Sequence, residues 1–142
     1  CGYTKRRCAE LANGELCGFL DPDDELLPNA LIDSYVALTP ENIVVSFSRC
    51  YVCDENLNVI YEYRLLDLKG LSYFERRDYS PEHFAAFKKE AYNTTKGIDP
   101  LIKGGVDQDL YFKLEEVGEI AILDKFTYKY DFFVFVWYGR LY

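Results

Sequence analysis

From Phe126 to Phe132 the chain alternates without a break: Phe126, Tyr128, Tyr130 and Phe132 at even positions, Thr127, Lys129 and Asp131 at odd ones. A period of two marks a β-strand with one face packed and the other wet. Ile43 to Cys53 repeats the pattern. Ile43, Val45, Phe47, Tyr51 and Cys53 share one face, with Arg49 the exception, and Ser46, Ser48 and Cys50 lie on the other. Asp54-Glu55-Asn56-Leu57-Asn58 is turn chemistry, because Asn and Asp tolerate positive φ and bond their own backbone. Val59 to Leu68 then returns with Tyr61 and Tyr63, which predicts a β-hairpin. From Phe132 to Tyr138 both faces turn apolar, as in a strand covered on both sides or an exposed binding surface. Trp137 and Tyr138 are therefore candidate partner-binding residues.

Such strands need a cover. Thr4 to Leu11 reads as a short helix stopped by Asn13-Gly14. Ser80-Pro81-Glu82 supplies a cap, a residue suited to the first helical position and a carboxylate for the dipole. Phe84, Phe87, Ala91 and Tyr92 follow at helical spacing, so a well-capped helix is predicted over about 80–95. Leu31 to Leu38 and Ile120 to Leu123 read as short strands, Tyr111 to Leu114 as a brief one, and Pro100 to Asp109 as a loop. The sum is an α+β domain: an antiparallel sheet or small sandwich, one helix, and an N-terminal segment stapled on by disulfides.

The 142 residues suit a single domain over 1–142, with 1–7 as a segment set apart at the start. A 17% aromatic share, with 13 Tyr and 10 Phe, excludes disorder as the main state. Apolar runs fall far short of the ~20 residues of a membrane-spanning helix. With a formal net charge of -8 and no basic stripe, the chain is not expected to bind nucleic acid.

No catalytic set stands out. The one histidine, His83, falls in the first turn of the predicted helix, where a cation opposes the dipole and a neutral surface imidazole is expected. Neither a G-x-S-x-G elbow nor a phosphate-binding glycine loop occurs, and Gly104-Gly105 is read as a turn. Asp54-x-Asn56-x-Asn58 starts like a calcium loop but continues with Val59 and Leu65 where Gly and Glu belong. Asp21, Asp23, Asp24 and Glu25 form an acidic loop, read as partner-facing, with calcium as the lesser alternative. No metal and no small-molecule cofactor are expected. Asn93-Thr94-Thr95 is a glycosylation triplet.

The sequence begins Cys1-Gly2, and in this it resembles a mature bacterial lipoprotein. That resemblance implies a lipid on Cys1, a membrane anchor and, from Gly2, an outer-membrane address facing the periplasm or the cell surface. Two or three acyl chains anchor a protein stably, and Lys5, Arg6 and Arg7 then meet headgroups or remain a solvated charge run. With Cys1 acylated, Cys8, Cys17, Cys50 and Cys53 remain for two disulfides in an oxidising compartment. Pairing of Cys8 or Cys17 with Cys50 or Cys53 is favoured over local bridges, and three connectivities are open. A four-thiolate zinc site and a C-x-x-C redox pair are the weaker readings.

The expected function is accordingly non-enzymatic: a lipid-anchored envelope protein that works by protein-protein contact. Its partners would be the other members of a secretion, pilus or motility assembly, or a toxin or enzyme that it blocks as an immunity protein. The alternative is a secreted, extracellular binding domain of a eukaryote or virus, held by disulfides and glycosylated at Asn93.

Overall fold

The computed structural model describes residues 1–76 and 84–132. In chain order these form α1 (Gly2–Leu11), β1 (Leu16–Gly18), β2 (Glu25–Leu26), α2 (Ala30–Ala37), β3 (Ile43–Cys53), β4 (Val59–Glu62), β5 (Ala85–Lys88), α3 (Lys89–Thr94), α4 (Val106–Glu115) and β6 (Glu119–Asp131). The strands make one sheet in the order β1-β5-β3-β6-β2, with β4 on β3 beside this path. One edge of β3 carries β5 along Val45–Phe47 and β4 along Tyr51–Cys53, both antiparallel. The other edge is taken from Ile43 to Cys53 by β6, and this pairing is parallel.

The α+β class therefore holds, and the antiparallel sheet or sandwich is corrected to a mixed sheet. A parallel pair requires a crossover. Here α4 is part of it, packing on β3 with the Tyr111 and Phe47 rings 4.9 Å apart, edge to face. Alternation along β3 sends Val45 and Phe47 to one buried cluster and Cys50 to another. The larger cluster collects Ala9 of α1, Phe87 of β5, Tyr92 of α3 and Leu110 and Leu114 of α4. The smaller one holds Ala30 of α2, Cys50, Phe84 and Tyr128.

The hairpin of β3 and β4 and the first helix form where the sequence predicts them, although β4 takes up only Val59–Glu62 of the strand expected from Val59 to Leu68. Other segments differ more. Leu31 to Leu38 is not a strand: Ala30, Ser34 and Leu38, four residues apart, are the buried positions of α2 and its end. Tyr111 to Leu114 belongs to α4, which also takes Val106 to Asp109 out of the loop expected over Pro100 to Asp109; its buried Val106, Leu110, Tyr111 and Leu114 follow helical spacing. The helix over about 80–95 is replaced, from residue 84 onward, by β5 and the short α3, while Ser80, Pro81 and Glu82 lie outside the described residues. Ala85, Ala86 and Phe87 are all buried, as in a strand covered on both faces, which a short apolar run does not distinguish from a helix.

The disulfide-stapled N-terminal segment is also corrected, because no disulfide forms among the described residues. Cys17 pairs across β1 with Phe87, and Phe87 pairs with Val45. Cys17 thus lies two strands away from Cys50, roughly 10 Å, and five residues along, roughly 16 Å. Bridged Cα atoms stand within about 7 Å. Cys1 and Cys8 are exposed on α1 and at its cap, whereas Cys50 and Cys53 are buried. The N-terminal segment is held by packing: the Gly2 N–H donates to the Ile102 carbonyl at 3.1 Å. A Cβ on Gly2 would stand 2.4 Å from the Asp99 carbonyl oxygen, so glycine is what lets α1 approach the 99–102 loop.

Candidate functional site

The acidic loop stands over the far end of β6. β1 ends at Gly18, and after the loop β2 pairs Glu25 with Lys129 and Leu26 with Tyr128. The four acidic side chains part company there. Asp24 turns inward, its Oδ2 accepting from the Tyr128 hydroxyl at 2.5 Å and its Oδ1 from the Asp131 N–H at 2.7 Å. Burial pushes the Asp24 carboxyl up, against the lowering effect of these two bonds, and Asp23 and Asp21 nearby add to the rise. Burial, then the Asp24 bond, pushes the Tyr128 phenol upward too, so it stays a donor at neutral pH. Tyr130, raised by burial and by the Asp24 and Asp23 charges, lines the same corner. Glu25 pairs with Lys129 at 3.4 Å. Asp21 and Asp23 remain exposed.

Two residues outside the loop complete the arrangement. Lys5 reaches over from α1 and donates to both carboxylate oxygens of Asp107, each at 2.9 Å. The same Nζ lies 3.8 Å from Asp21 Oδ1 and 5.2 Å from the centre of the Phe19 ring. The Lys5 side chain is 16% exposed, against 39% for Asp107 and 58% for Asp21. The cation is thus covered while its two carboxylate partners face solvent. Asp107 sits in the first turn of α4, where the helix dipole favours an anion. Its neighbour Asp109 faces another way, bound by Lys113 at 2.5 Å and accepting from the Asp99 N–H at 3.5 Å.

The structure therefore brings Asp21 and Asp24, from the sequence-predicted set, to a corner shared with Lys5, Asp107, Tyr128 and Tyr130. It does not assemble the whole loop around one point. Among the described residues, no group of three or more His, Cys, Asp or Glu side chains is arranged to hold a metal ion. Asn93 is exposed on α3, well away in the chain from the acidic loop, and Cys1 is exposed at the start of α1. His83, Trp137 and Tyr138 lie outside the described residues. Lys5 and Asp107 are what sequence reasoning missed. The signal available was the helical spacing of Val106, Leu110, Tyr111 and Leu114 directly after Gly104-Gly105, which puts Asp107 at a helix start.

No protein-family model matches the chain. Three curated proteins do. The chain is 30% identical over 133 residues to a chondroitin synthase of Escherichia coli, which covers 89% of this chain and 18% of that protein. It is 31% identical over 123 residues to a chondroitin synthase of Pasteurella multocida (strain Pm70), and likewise to a hyaluronan synthase of Pasteurella multocida. Those two matches each cover 82% of this chain and 12% of the relative. The chain thus spans less than a fifth of the length of the relatives it matches.

These matches overturn the expected function. A lipid-anchored accessory subunit or immunity protein, acting only by contact, does not agree with similarity to polysaccharide synthases over most of the chain. The expectation of no enzymatic role, the lipoprotein and secretion-system readings, and the glycosylated eukaryotic or viral alternative are corrected on the same ground. The fold supplies its own reason for Gly2, the close approach of α1 to the 99–102 loop. Among the described residues, no helix is long and apolar enough to cross a membrane.

Proposed function

We propose that this chain forms part of a sugar-transferring module of a polysaccharide synthase, with its reacting site at the corner where Asp21, Lys5 and Asp107 meet and Asp23 beside Asp21 on the same loop. The observation that carries the reading is the similarity, over 82–89% of the chain, to proteins named as chondroitin and hyaluronan synthases. Making such a polymer means forming glycosidic bonds. An acceptor hydroxyl attacks the anomeric carbon of an activated sugar, the bond to the leaving phosphate breaks, and the hydroxyl proton must go to a base.

Asp107 suits the role of base. It is a half-exposed carboxylate at a helix start, held by one cation, whereas Asp24 and Asp109 are bound into the fold. Asp21 and Asp23 are hard oxygen donors two positions apart and open to solvent. A divalent cation of the magnesium kind is commonly held by one or two carboxylates together with substrate phosphates, so these two suit a cation shared with a donor diphosphate. Such a cation would neutralise charge on the leaving group. Asp24, tied to Tyr128 and Asp131, fixes the loop on which Asp21 and Asp23 stand.

The test is a transfer assay on the full-length protein, with nucleotide-activated uronic acid and N-acetylhexosamine as donors and an oligosaccharide as acceptor. Chain extension by the wild type is expected. Asp107→Asn should lower kcat by roughly 10²–10⁴, the usual worth of a general base, and a chelator should suppress transfer until magnesium or manganese is restored. A wild-type protein that extends no acceptor under these conditions overturns the proposal.

A further inference from the structure

We infer that Lys5 is a positioning residue for the transfer reaction, one that aims the Asp107 carboxylate and sets its distance from the acidic loop. This rests on the reading of the corner as a sugar-transfer site.

Three elements meet at the Lys5 ammonium and touch it in different ways. From α4, both Asp107 oxygens accept from it at 2.9 Å, so the carboxylate is gripped symmetrically. From the acidic loop, Asp21 approaches to 3.8 Å. From the end of β1, the Phe19 ring lies beneath it at 5.2 Å, within the range of a cation–π contact. α1 is itself registered against the loop leading to α4 by the Gly2 bond to Ile102. Arg6, one residue on, donates to the Ile98 carbonyl in that loop at 3.0 Å. The ammonium is thus carried on an element anchored beside the carboxylate it holds.

A side chain whose cation is 16% exposed, wedged between two more open carboxylates, is poorly placed to meet solvent-borne ligands directly. It is well placed to fix two groups that must act at a set separation. Preorganisation of this sort is worth most when the held group is the one that reacts, since a misplacement of about 1 Å costs on the order of 10² in rate. Lys5 therefore acts through Asp107.

The experiment is a kinetic cycle on the full-length protein with Lys5→Met, Asp107→Asn and the double variant. Lys5→Met should lower kcat roughly 10- to 100-fold while the donor KM changes by less than about twofold. Lys5→Arg should recover most of the rate, because a guanidinium still bridges two carboxylates. In the Asp107→Asn background, Lys5→Met should cost less than about a further twofold, since residues acting through one another are not additive. Lys5→Gln serves in place of Lys5→Met if thermal unfolding shows the latter to be misfolded. Wild-type kcat in Lys5→Met, or in Lys5→Gln where that stands in for it, or a loss that multiplies in full with that of Asp107→Asn, overturns this inference and leaves the sugar-transfer reading standing. An inactive wild type overturns both.

Discussion

At Asp24 a carboxylate is taken partly out of water and kept there by two donors. Its burial works against ionisation, and the Tyr128 hydroxyl and the Asp131 N–H work for it. Tyr128 is 1% exposed, so water cannot replace its hydroxyl cheaply. Tyr128→Phe should therefore destabilise the fold by about 1–3 kcal/mol, the range for leaving a buried charged acceptor short of a donor. Urea unfolding of the two proteins at pH 7 measures this, and equal midpoints would mean that Asp24 does not depend on the bond. The acidic loop was visible in the sequence because its residues are consecutive. Lys5 and Asp107 were not, since 102 residues separate them and neither position is unusual alone. Local patterns carry chemistry only when the partners are local.

The elements read best where one periodicity had no competitor. The hairpin of β3 and β4 has an eleven-residue first strand whose apolar alternation is interrupted at Arg49, and an Asp54 turn, whose Oδ1 accepts from the Asn56 and Asn58 N–H groups, both at 2.9 Å. α2 misleads for the opposite reason. Its conspicuous apolar residues, Leu31, Ile32, Tyr35 and Val36, are all exposed, while the small Ala30 and Ser34 face inward. What seats α2 is polar. Asn29 Nδ2 donates to Asp33 Oδ2 at 2.7 Å and to the Phe126 carbonyl at 3.1 Å, and Lys125 pairs with Asp33 Oδ1 at 2.5 Å. The Lys125 and Asn29 bonds hold the Asp33 carboxyl below its ordinary value. A lowered acid stabilises the fold above its unfolded value, and that contribution is lost as pH falls through the folded one. Asp33→Asn should thus lower the thermal midpoint at pH 7 and have little effect once the medium is acid enough to protonate Asp33. A deficit that persists unchanged into acid would assign the effect to shape rather than charge.

For the molecule as a whole, the question is what replaces the covalent staples that five cysteines suggest. The answer is the core on β3: Val45, Phe47, Phe87, Ile98, Leu110 and Leu114 are each within 1% of complete burial, and the Phe47, Tyr73 and Tyr111 rings pack on one another. Cys50, in the smaller cluster, and Cys53 are buried as well, a common use of cysteine as a small apolar side chain. The composition was informative about the size of the core, and the cysteine count was not informative about bonding, because strand order decides which thiols can meet. The expectation is sharp. Reduction should leave the intact mass unchanged and the thermal midpoint within about a degree, whereas losing even one native disulfide costs roughly 2–5 kcal/mol. At about 3–5 °C per kcal/mol for a domain of this size, that loss would be plain. Burial pushes the Cys17 and Cys53 thiols up, so they stay protonated near neutral pH and should alkylate slowly in the native protein. Cys1 and Cys8, which are exposed, should react first. A gain of two hydrogens per bridge on reduction, together with a lower midpoint, would mean that covalent links hold this sheet after all.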